Sequence, residues 1–199
     1  LARQPQMTPR QQFDPTDDTS AGSAPHPSGS SAAVLITSAS LGVGAVIGAL
    51  LLGRASDRGQ LLAAVLSVAG SVLGLAGVAL FLLGDETPAL SMPWSIPGGS
   101  FSVAIDGLGA LFLVPVFLVS GLGAVYGLGY WRQSENPANG RKLRIFYGFL
   151  TGGMVMLLVA RSSVLFLLGW EVMALAAYFL VATDDRQESV RKAAWVYLV

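Results

Sequence analysis

A single carboxyl group interrupts a long apolar stretch of this chain. Glu171 lies nine residues after Ser162 and twelve before Thr183, with no other Asp, Glu, Lys or Arg between those limits. At 1.5 Å per helical residue it stands roughly 13–18 Å from either end, near the middle of a hydrocarbon core about 30 Å thick. A carboxylate there costs about 2.5–3.5 kcal/mol on insertion scales, so it must face a protein interior, a water cavity or a cation. Desolvation favours the neutral acid and a nearby ammonium favours the carboxylate. A cation that approaches and withdraws would therefore load and release a proton, which is the chemistry of a relay. The competing role is structural, a fixed ion pair or hydrogen bond that cross-links helices. Arg161 is ten residues earlier, about 15 Å away, so the partner of Glu171 is expected on another helix, beyond Val199.

The other candidates stand at the ends of apolar runs. Asp106, followed by Gly107, opens one of them; an acid in a first turn suits the positive end of the helix dipole, with proton uptake as the minority role. Pro115 should bend its helix unless neighbours satisfy the freed carbonyl. Arg191 and Lys192 open the last run, where setting topology is the default role and a relay role for Lys192 is the alternative.

Much chemistry is excluded outright. There is no cysteine, which removes disulfides, iron–sulfur ligation, thiolate zinc and cysteine nucleophiles. The only histidine, His26, lies between Pro25 and Pro27 in a polar segment, so bis-histidine haem and multi-histidine metal sites cannot be built from this chain. No metal or cofactor is expected on it. Twelve Lys and Arg balance twelve Asp and Glu, leaving no basic field to hold nucleic-acid phosphates.

The elements that must carry these residues follow from hydropathy. Of the 199 residues 53% are hydrophobic and only 12% charged, against roughly 25% charged in a soluble domain, so the bilayer is the expected solvent. Residues 1–31 are rich in Pro, Gln, Ser, Thr and Asp without period and read as a disordered polar tail. The remainder, 32–199, reads as an all-α, polytopic transmembrane bundle. Its spans are 32–53, 61–83, 105–131, 143–160 and 162–183, with the start of a sixth at 190–199. The sixth run stops at Val199, so the chain is expected to be a fragment of a longer protein.

Between the second and third spans, Trp94–Ile105 alternates partly around Pro97-Gly98-Gly99 and predicts a short outer hairpin, with an irregular loop as the alternative. Glycines four apart recur (Gly44 and Gly48, Gly70 and Gly74, Gly123 and Gly127, Gly148 and Gly152) and permit close helix packing. Lys and Arg concentrate in the first, third and fifth loops. The positive-inside rule places those loops in the cytoplasm and the N-terminus outside.

Three segments carry a resemblance. Ile105-Asp-Gly-Leu-Gly-Ala-Leu-Phe112, Gly169-Trp-Glu-Val-Met-Ala-Leu-Ala-Ala-Tyr-Phe-Leu180 and Val190-Arg-Lys-Ala-Ala-Trp-Val-Tyr-Leu-Val199 resemble the antiporter-like membrane subunits of respiratory complex I, Mrp antiporters and membrane-bound nickel–iron hydrogenases. The last run is most similar to hydrogenase-4 component B and formate hydrogenlyase subunit 3. The resemblance implies a proton-translocating subunit in a prokaryotic plasma membrane, with Glu171 as the buried proton carrier and Lys192 at a basic position near the sixth helix. It also implies redox partner subunits that hold any quinone, iron–sulfur or nickel–iron centres, and protons or sodium as the transported ion. Residues 1–31 match nothing in that pattern. A stand-alone cation/proton antiporter, and an inactive truncated fragment, remain the alternatives.

Overall fold

The computed structural model describes residues 56–84, 89–95 and 100–198. The tail expected over 1–31 and the first span expected over 32–53 lie outside them. Five helices and one strand pair follow in order: α1 (Asp57–Leu83), β1 (Ala89–Pro93), β2 (Ser100–Ala104), α2 (Gly107–Tyr130), α3 (Gly140–Val159), α4 (Ser163–Val181) and α5 (Glu188–Leu198). The first four helices named, α1 to α4, are each long and apolar enough to cross a bilayer. Eleven residues of α5 are described, Glu188–Leu198. The ends of the expected spans thus shift by up to four residues. In α1 this happens because Ser56 caps the helix, its hydroxyl accepting from Gly59 N–H at 3.3 Å, so Asp57–Gln60 join it.

The strand pair is antiparallel, with Ala89 opposite Ala104 and Pro93 opposite Ser100. Pairing therefore starts upstream of the expected Trp94–Ile105 stretch, and Trp94 instead packs edge-on against Phe101 at 6.1 Å. Residues 96–99, which include the Pro-Gly-Gly signal, lie outside the described residues.

The helices run up and down in sequence. Gly74 of α1 lies under the Phe117 ring of α2 while Gln60 reaches Trp131 at the opposite end, which fixes α1 and α2 as antiparallel. Buried positions on α2 (Ala110, Leu113, Phe117, Ser120) recur every three or four residues, marking one face of a helix. With Val78 and Ile105, the apolar Ala110, Leu113 and Phe117 form the core, packed against Leu75, Phe81, Val114, Val155, Leu158 and Val159. Elsewhere little is covered: only 6% of the most apolar window of α3 and 17% of that of α4 is buried inside the described fold. Helix surface of that kind meets lipid or further protein.

Small residues decide how closely α3 and α4 approach. At Gly153 a Cβ would stand 2.9 Å from Met173 N, and at Gly169 one would stand 3.2 Å from Leu157 N. The two backbones touch there. Of the glycine pairs four apart, Gly74 and Gly123 do serve as contacts, to Phe117 and to the Tyr147 hydroxyl, whereas Gly127 and Gly152 face open space. Gly44 and Gly48 lie outside the described residues.

Candidate functional site

Helix α4 carries the candidate carboxylate. Ser162 starts it, its hydroxyl accepting from Leu165 N–H at 3.4 Å, and Lys142 of α3 closes the other end by donating to Ala182 O at 2.8 Å and pairing with Asp185 at 3.3 Å. Between these fixed ends, Leu165, Gly169 and Ala176 are buried on one side. Glu171 stands two residues from both Gly169 and Met173, the points where α4 touches α3. Two residues turn a helix by about 200°, so Glu171 points away from α3 and is exposed.

Its neighbours on that outward face are apolar: Leu167, Trp170 and Leu175 are 63%, 53% and 43% exposed. Among the described residues Glu171 makes no hydrogen bond and no ion pair. It lies eight residues from Ser163 and ten from Val181, roughly 12 and 15 Å from the ends of α4. The expected second candidate is not brought to it. Lys192 of α5 pairs with Glu188 one turn earlier at 2.9 Å, and both ends are mostly exposed. Arg191 donates to Asp185 O at 2.9 Å and Arg186 O at 3.2 Å.

Asp106 sits at the other end of the bundle and has two partners. Its Oδ1 accepts from Gly109 N–H at 2.6 Å, capping α2, and its Oδ2 accepts from Arg161 at 3.0 Å. The Gly109 N–H, followed by the Arg161 guanidinium, holds the Asp106 carboxyl below the usual carboxylate range. Arg161 N–H donates in turn to Ser102 O at 2.8 Å, and Val103 bridges to Ala160, so β2 is tied to the turn that begins α4. Asp106 is thus the N-cap of α2, at the positive end of its helix dipole rather than inside its first turn. The pairing with Arg161, 55 residues away, adds a tie that spacing could not disclose.

A buried polar knot at the Lys142 end was also missed. The Gln60 amide donates to Gly127 O and Trp131 O, both at 3.1 Å, and its Oε1 accepts from Gln133 N–H at 2.9 Å. Gln133 is fully buried and accepts from Arg144. Trp131 O lies past the last turn of α2, where a carbonyl has no helical donor, while Gly127 O also accepts from Trp131 N–H at 3.1 Å. The one signal in the chain was a glutamine directly abutting an apolar run.

No family model matches the chain. An uncharacterized protein of Mycobacterium tuberculosis is 31% identical over 134 residues, 66% of this chain and 20% of that protein. NADH-quinone oxidoreductase subunit L of the same species is 34% identical over 110 residues, 51% of this chain and 16% of the subunit. This chain is similar to antiporter-like membrane subunits. The Na(+)/H(+) antiporter subunit A1 of Staphylococcus aureus gives the same likeness, 30% identity over 100 residues, 47% of this chain and 11% of that one. The chain spans a fifth or less of the length of these relatives. Apolar helices and membrane-subunit relatives together mark a membrane protein.

Proposed function

We propose that this chain is part of a proton-translocating, antiporter-like subunit of a membrane oxidoreductase, in which Glu171 accepts and releases the proton. One observation carries the reading. An acid halfway along a membrane-length helix faces outward among apolar side chains and has no partner among the described residues. Leaving a charge so placed is costly, and the cost is relieved when a cation from protein outside the described residues docks on that face. Approach of the cation favours the carboxylate; its withdrawal favours the neutral acid. Glu171 thus takes up a proton in one state and gives it up in the other.

In this reading electron transfer belongs to partner subunits: these 199 residues hold no cysteine for an iron–sulfur or nickel–iron centre and no second histidine for a bis-histidine haem. The complex I type is favoured by the likeness to NADH-quinone oxidoreductase subunit L. The hydrogenase type rests on the Arg191–Val199 run. Protons are the primary ion and a prokaryotic plasma membrane is the location, with the N-terminus outside and Lys192 at the cytoplasmic start of α5.

A second reading, a cation/proton antiporter working without redox partners, is favoured by the likeness to Na(+)/H(+) antiporter subunit A1. One experiment separates the two. Inverted vesicles containing the full-length protein are energised either with an electron donor or with a sodium gradient, and internal pH is followed in wild type and Glu171→Gln. The oxidoreductase reading expects donor-driven acidification that Glu171→Gln abolishes while subunit assembly is intact. Wild-type acidification in the variant removes Glu171 from the mechanism, and proton movement driven by sodium alone supports the antiporter.

A further inference from the structure

Helix α4 rests chiefly on α3, and the two antiparallel backbones meet at two places. A Cβ on Gly153 of α3 would fall 2.9 Å from Met173 N and 3.0 Å from its Cα, and a Cβ on Gly169 of α4 would fall 3.2 Å from Leu157 N. Counting two residues inward from either contact sets Glu171 level with Val155. Val155 in turn packs against the apolar core that holds Leu113 and Phe117, so α3 has side chains behind it at that level. Farther along, Phe146 of α3 stacks on Phe179 of α4 at 4.4 Å, and Lys142 reaches Ala182 O. At the other end Arg161 N–H holds Ser102 O. The ends of α4 are therefore pinned, and a backbone contact brackets Glu171 on each side.

We propose that Gly153 and Gly169 are positioning residues for the Glu171 carboxyl, an inference that rests on the reading of Glu171 as the proton carrier. Neither glycine touches it. Each lets a backbone, which has no rotamer to adjust, set how far α4 stands from α3, and Glu171 on the opposite face of α4 moves with that distance. Alanine at 153 parts the helices by roughly 0.5–1 Å, because unstrained contacts need about 3.5–4.0 Å, and carries Glu171 outward by as much. A reacting group must be held within about 0.5 Å of its productive place, and misplacing it by about 1 Å can cost about 100-fold in rate. Alanine at 169 does less, because besides Leu157 N it meets only side-chain carbons of Met156, at 3.3 Å, and these can shift. At Gly152, next to Gly153, an added Cβ has nothing within 4 Å among the described residues and displaces nothing. The three glycines thus form a graded series.

The test records infrared difference spectra on turnover, and donor-driven acidification, for the full-length protein in its membrane complex. Wild type is compared with Gly152→Ala, Gly169→Ala, Gly153→Ala and Glu171→Gln. The carboxylic-acid carbonyl band that Glu171→Gln removes is the signal of the Glu171 side chain. The inference expects that band to move in frequency most in Gly153→Ala, less in Gly169→Ala and not at all in Gly152→Ala, with acidification per assembled complex several-fold lower in Gly153→Ala. Glycines that served packing alone would reduce the yield of complex and leave the band in place. Should Gly153→Ala fail to assemble, Gly169→Ala against Gly152→Ala decides. An unmoved band in the variants at 153 and 169, or an equal shift in Gly152→Ala, overturns the inference and leaves Glu171 as the carrier. A band that survives Glu171→Gln, or no such band in wild type, overturns the reading of Glu171 and this inference with it.

Discussion

Replacing Gly153 by alanine tests the backbone contact between α3 and α4. A Cβ at Gly153 would lie 2.9 Å from Met173 N and 3.0 Å from its Cα and Cβ. Unstrained heavy-atom contacts need about 3.5–4.0 Å, so α3 and α4 must part by roughly 0.5–1 Å. No rotamer change relieves the clash, because two of the three opposing atoms are backbone. Nor can α4 pivot freely, since at Gly169, further along the same contact, an added Cβ would meet Leu157 N at 3.2 Å and Met156 at 3.3 Å. Overpacking of this kind costs about 1–3 kcal/mol. Gly152→Ala is the internal control: it faces open space, and alanine is the better helix former, so it should be neutral or slightly stabilising. Thermal unfolding of the full-length protein in detergent, followed by tryptophan fluorescence, should show Gly153→Ala melting several degrees lower and Gly152→Ala unchanged. Equal midpoints for the two variants would refute the backbone contact.

Other consequences concern the polar ties at the two ends. Gln60→Leu removes the amide that bonds Trp131 O and Gln133 N–H and one of the two donors to Gly127 O, which should cost about 1–3 kcal/mol in the same unfolding assay. A midpoint equal to wild type would mean the knot contributes nothing. Asp106→Asn should lower stability at neutral pH, because a carboxyl held below its usual range stabilises the fold above that range. That contribution fades as pH falls through the lowered value, so the deficit of the variant should shrink in acid; a pH-independent deficit would contradict the pairing. Lys142→Met removes the donor to Ala182 O and the Asp185 pair, worth about 0.2–1 kcal/mol for a partly exposed ion pair. Faster amide exchange over residues 183–187 should report it, and unchanged exchange would show that Lys142 does not hold the end of α4.

Hydropathy alone made the long elements legible. Uncharged runs of about twenty residues have one low-energy form in lipid, so α1 to α4 fall within four residues of the spans read from the chain. Glu171 was legible for the same reason, because a lone acid in such a run stands out against its background. Its outward direction was not, since the face a helix buries is decided by neighbours: the backbone contact selects Gly153, which belongs to no pair, over Gly152, which does. The Asp106–Arg161 tie and the Gln60–Gln133 knot join residues 55 and 73 positions apart. No local period encodes a contact at that separation. The strand pair shows a smaller shift, in that the upstream strand lies in Ala89–Pro93, where alternation is weak, before the stretch read as alternating. Lys192 was singled out for its charge and position, yet a glutamate one turn away already engages it.

The central claim is that Glu171 takes up and releases a proton during turnover, and infrared difference spectroscopy reads this directly. Spectra of the full-length protein in its membrane complex, recorded with and without the driving reaction, should contain the carbonyl stretch of a protonated carboxylic acid. The account predicts that this band changes on turnover, shifts in heavy water and disappears in Glu171→Gln. A band that persists in the variant, or wild-type spectra in which no carboxylic acid changes protonation, would contradict it.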